Sequence, residues 1–81
     1  SLPKGSEERR VLLADLNKKA RKRSLTVTVD EDRDRDGQPY VEFNGEDRYY
    51  QVKAGEWRNA YGRMPLDELV PIANMLLAGK I

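Results

Sequence analysis

Tyr40-Val-Glu-Phe-Asn-Gly-Glu-Asp-Arg-Tyr-Tyr-Gln-Val-Lys53 decides the fold of this 81-residue chain. Asn44-Gly45 is its strongest turn signal, because a two-residue hairpin turn of type I′ needs positive φ twice. Parity then tests the strands on either side. Side chains alternate between faces along a strand, so any loop of even length puts Val41, Phe43, Tyr50 and Val52 together. Tyr40, Tyr49, Gln51 and Lys53 fall on the other face. The apolar residues sort to one side, so a strand over about Pro39–Phe43 and a third strand ending near Lys53 agree with each other. Pro39 suits the first strand position, where a missing N–H costs least.

Working outward, Leu25-Thr-Val-Thr-Val29 reads as the first strand, with Leu25, Val27 and Val29 on one face and Thr26 and Thr28 on the other. A long polar connection runs from Asp30 through Gly37. Upstream, Ser6 followed by Glu7 and Glu8 marks a helix start over about residues 7–22. Leu12, Leu13, Leu16 and Ala20 form its apolar stripe, and Asp15 can pair with Lys18 or Lys19. Downstream, Glu56–Tyr61, closed by Gly62, reads as a short helix with Trp57, Ala60 and Tyr61 inward. A last helix carries Leu66, Leu69, Val70, Ala73, Leu76 and Leu77, with Gly79 suited to its C-terminal cap. Pro71 inside it predicts a kink, or a separate turn at 66–69.

The expected fold is therefore α+β, one small domain over residues 6–81. It has a three-stranded antiparallel sheet with N- and C-terminal helices packed on one face, in the order α-β-β-β-α, and an extra short helix before the last. Residues 1–5 are set aside as a tail or cloning remnant.

Apolar residues are 38% of the chain and charged residues 36%, so the core is thin, and without cysteine no disulfide can staple it. A disulfide-built secreted scaffold is excluded. The chain has no histidine, which excludes Ser-His-Asp and Cys-His nucleophile systems and imidazole–thiolate zinc sites. The expectation is a non-enzyme with no cofactor. No apolar run is long enough to span a bilayer and the start has no signal-peptide pattern, so a membrane-free, intracellular protein is expected.

The net charge of +1 conceals an asymmetry. Residues 1–23 hold eight Lys/Arg against three Asp/Glu, while residues 24–81 hold seven against eleven. Five of the six residues from Lys18 to Arg23 are basic. Lys18, Arg21 and Lys22 lie on the face away from the leucine stripe, and Lys19 and Arg23 flank it. Cations that neutralise phosphates release counterions and so drive sequence-independent nucleic-acid binding. The same cations also suit the negative end of a helix, and the acidic stretch Asp30–Asp36 can neutralise them.

Three further groups stand out. Tyr40 and Tyr49, with Lys53, offer an outward sheet face on which unpaired bases could stack, although Glu42 and Asp47 share that face. Trp57, Arg58, Tyr61 and Arg63 have the composition of a protein-interface hot spot. The core is the competing place for Trp57. Asp32-Arg-Asp-Arg-Asp36-Gly37 resembles the opening of an EF-hand calcium loop, but Phe43 stands where the twelfth-position glutamate belongs, so no metal site is assigned.

The element order is similar to that of double-stranded-RNA-binding domains. Those domains carry a lysine cluster at the start of their last helix, where this chain has the acidic Leu66-Asp-Glu-Leu-Val-Pro71, so the likeness is one of order. The leading expectation is a nucleic-acid-binding accessory domain that uses Lys18, Lys19, Arg21, Lys22 and Arg23, with Tyr49 and Lys53 contributing. The alternative is a protein-interaction module, homodimeric or regulatory. It would use the 57–63 segment and the apolar end of the last helix (Met75, Leu77, Ile81).

Overall fold

Ser6 accepts a hydrogen bond from the Arg9 backbone N–H (3.1 Å) and so caps a first helix, α1, over Glu7–Arg21. The computed structural model describes residues 5–30, 39–53, 56–63 and 68–78. Glu7 and Glu8 occupy the first turn of α1, and Lys18, Lys19 and Arg21 the last, an arrangement that opposes the helix dipole at both ends. Leu16 and Ala20 are fully buried, and Leu12 and Leu13 pack against the same core.

The helix ends in a backbone reversal. Ser24 takes a φ of +59°, its N–H donates to Arg21 O (3.0 Å), and the Leu25 N–H donates to Ala20 O (3.0 Å). This pair of bonds is the Schellman pattern, normally built on glycine in the left-handed position. Leu25, the next residue, is buried in the same core as Ala20.

Strands β1 (Thr26–Asp30), β2 (Tyr40–Asn44) and β3 (Tyr49–Lys53) follow. The first two begin within one residue of their expected starts, and β3 ends at Lys53 as expected. The register pairs Val27 with Phe43 and Val29 with Val41, then Val41 with Val52 and Phe43 with Tyr50. These residues share the face that the helices cover, as parity requires. The turn itself differs from the expected two-residue type. Asn44 and Tyr49 are paired, leaving a four-residue loop closed by Gly45 N–H donating to Arg48 O (2.8 Å). Gly45 has no positive φ. It is needed for proximity, since a Cβ there would lie 2.9 Å from Leu25 Cδ2 and 3.2 Å from Ser24 O.

Glu56–Tyr61, expected to be a short helix, is a fourth strand, β4. It pairs antiparallel with β3 and extends the three expected strands to a four-stranded sheet of order β1-β2-β3-β4. Six residues with apolar positions three and four apart fit either period, and the free edge of β3 settles the matter by offering backbone groups a partner. Tyr49 pairs with Tyr61 but Gln51 with Arg58, so β4 carries one extra residue, a bulge. Gly62 follows the strand at φ +88°, where a Cβ would lie 2.5 Å from Arg48 Cγ.

Helix α2 spans Leu69–Leu77. Pro71 falls in its first turn, where backbone N–H groups have no partner within the helix, so no kink is needed to hold it. The alternative expectation, a separate turn at 66–69, lies partly outside the described residues. Residues 66 and 67, the acidic calcium-like stretch 32–37 and Gly79 lie outside the described residues. Leu69, Ala73 and Leu76 point into the shared core. Both helices pack on one face of the sheet and on each other, with α1 over β1 and α2 over β2 and β3.

Candidate nucleic-acid interface

The five cations expected to act together divide into two groups. Lys19 Nζ lies 2.8 Å from both carboxylate oxygens of Asp15, one helical turn back. Arg23 is held on two sides. It donates to Lys19 O (3.1 Å) and forms an ion pair with Glu68 at the N-terminal cap of α2. Arg48 in turn donates to the backbone carbonyl of Arg23. Arg23 thereby ties the end of α1 to the start of α2, and its own backbone is tied to the β2–β3 loop. Lys19 and Arg23 are committed to the fold.

Lys18, Arg21 and Lys22 are exposed, and among the described residues none of them has an ion-pair partner. They sit at i, i+3 and i+4, which makes them neighbours on the helix surface. Together they line a shallow depression of about 520 Å³ that opens broadly to solvent. The expected neutralisation by the acidic stretch falls on Asp30, whose side chain is not described, and on residues 31–36, which lie outside the described part.

The outward sheet face is less open than expected. Lys53 is only 6% exposed and Gln51 9%. Both belong to β3, which β4 makes an interior strand of the sheet. Tyr49 does not pair with Tyr40. Its ring stacks on Tyr61 instead, with centroids 6.3 Å apart and planes 26° apart. The Tyr49 hydroxyl accepts from Gln51 Nε2 (2.9 Å) and donates to Glu42 Oε1 (3.3 Å). Burial, and then the Glu42 carboxylate, push its pKa above the ordinary tyrosine value. A ring already stacked, beside a carboxylate, is poorly placed to receive a nucleotide.

Of the interface candidates, Tyr61 is 54% exposed and Arg63 is exposed. Trp57 stands opposite Val52 and Arg58 opposite Gln51 in the register, and their side chains lie outside the described part. Met75 on α2 is 52% exposed, whereas Leu77 packs partly into the core and Ile81 is not described.

Two residues that complete the arrangement escape a reading of sequence. Glu68 is 45 positions from the arginine it binds, and Arg48 is 25 from the carbonyl it reaches. Their charge is the one hint that the sequence offers. The chain matches no known protein family, no characterised protein and no solved structure.

Proposed function

We propose that this is a non-catalytic nucleic-acid-binding or nucleic-acid-associated domain that contacts phosphates through Lys18, Arg21 and Lys22. One observation carries the reading. These three exposed cations line a common depression at the end of α1, while their neighbours Lys19 and Arg23 are engaged by Asp15 and Glu68. The division matters because a cation already paired releases few counterions on meeting a phosphate. Tyr49 and Lys53 drop out of the contact set, one stacked and hydrogen-bonded, the other buried. The lack of any histidine or cysteine supports a non-catalytic role.

The test is a fluorescence-anisotropy titration of labelled single strands and duplexes across a salt series. Three phosphates neutralised give a log–log salt slope of about −2 for single strands and about −3 for duplex. No binding at low salt to either form removes the reading.

A second reading, a protein-contact module, draws on Tyr61 and Met75, both more than half exposed. Sedimentation velocity separates the two. Association that persists in high salt, without affinity for nucleic acid, supports the second.

A further inference from the structure

Every aromatic residue of the chain lies between Tyr40 and Tyr61, on β2, β3 and β4. The open cations lie on α1, which packs over β1, and in the sheet order β1-β2-β3-β4 the stacked pair Tyr49–Tyr61 belongs to the far strands. No ring stands on α1 or β1 to receive a base.

The chemistry of the depression points the same way. It sits at the C-terminal end of a helix, where the backbone presents carbonyls, so an anion gains nothing from the peptide dipoles there. Attraction must come from side-chain charge alone. Two of the three cations are lysines, whose ammonium is a compact point charge without the planar fork that selects one geometry. The two groups that could have added directional contacts nearby, the Arg23 guanidinium and the Asp15 carboxylate, are committed to partners within the fold.

We infer that the Lys18–Arg21–Lys22 depression recognises a run of linked phosphates, indifferent to the base and to the sugar. This rests on the proposed phosphate-binding role and goes further. It makes inorganic polyphosphate a ligand equivalent, phosphate for phosphate, to a nucleic-acid strand.

The experiment is a competition at low salt. A labelled oligo-dT bound to the protein is displaced by unlabelled oligo-dT, oligo-dA, an abasic deoxyribose-phosphate oligomer and inorganic polyphosphate, matched in chain length and phosphate concentration. The expected result is half-displacement at closely similar concentrations for all four. A single stacked base would separate them by about tenfold. Tyr61→Ala should leave all four values unchanged, and Lys18→Glu with Lys22→Glu should weaken all four together.

Displacement by base-bearing strands at least tenfold better than by the abasic oligomer or polyphosphate overturns the inference. So does a loss in Tyr61→Ala confined to base-bearing strands. In both cases nucleic-acid binding itself stands. Failure of the labelled strand to bind at all removes both conclusions.

Discussion

The end of α1 and the outer face of the sheet carry similar raw material, polar and cationic side chains near the surface, yet they meet solvent differently. On the sheet, Tyr49 stacks on Tyr61 and exchanges hydrogen bonds with Gln51 and Glu42, and Lys53 is buried. At the helix end, Lys18, Arg21 and Lys22 remain exposed around an open depression. Side chains that satisfy one another are part of the fold. Those left facing water are where a binding partner can be sought.

The contrast is broken most directly by charge reversal. Lys18→Glu, Arg21→Glu and Lys22→Glu together should reduce nucleic-acid affinity by about 100-fold or more at low salt, as expected for losing three phosphate contacts and adding repulsion. Stability read by urea unfolding should fall by only about 1–2 kcal/mol, because exposed side chains are changed but the last turn of α1 exchanges cations that oppose the helix dipole for acids that add to it. A large loss of stability with the loss of binding would place these residues in the fold.

Gly62→Ala tests the sheet side. Left-handed backbone strain and a Cβ 2.5 Å from Arg48 Cγ should together cost about 2 kcal/mol, read by urea denaturation. Arg23→Ala should cost about 1 kcal/mol, since its pair with Glu68 is partly exposed, and should weaken binding far less than Lys22→Ala. An equal effect of both on binding would erase the distinction between engaged and open cations. Ser24→Gly should stabilise by about 1 kcal/mol by relieving the left-handed residue, with affinity unchanged.

Tyr49→Phe gives the smallest effect. A tyrosine whose pKa is raised by folding contributes stability that is complete below its unfolded value, near 10, and is lost as pH rises through the folded value. Urea midpoints measured from pH 8 to about pH 11 should therefore fall more steeply for the wild type than for the variant. Parallel curves would show that the hydroxyl is not held as described.

The apolar alternation of Val41, Phe43, Tyr50 and Val52 makes the central hairpin legible, because a face of a sheet has only one parity that buries them. The separation of Lys18, Arg21 and Lys22 from Lys19 and Arg23 is legible too, since helical geometry puts them on different faces. The partners are a different matter. Asp15 is one turn from Lys19 and within reach of a sequence argument, whereas Glu68 comes from the far end of the chain. The sequence misleads at β4 because six residues can satisfy a helical or an extended period, and only the neighbouring β3 decides between them. Pro71 leaves two outcomes open for a related reason: its cost depends on where the helix begins, and that boundary is set by packing.

The additional residue in β4 has a bearing on how the molecule behaves among its own copies. A flat outer strand invites another chain to continue the ladder, and an irregular one bends the hydrogen-bonding rim away from such an approach. At the concentrations that a weak charge-driven association demands, that rim should resist templated aggregation on its β4 side.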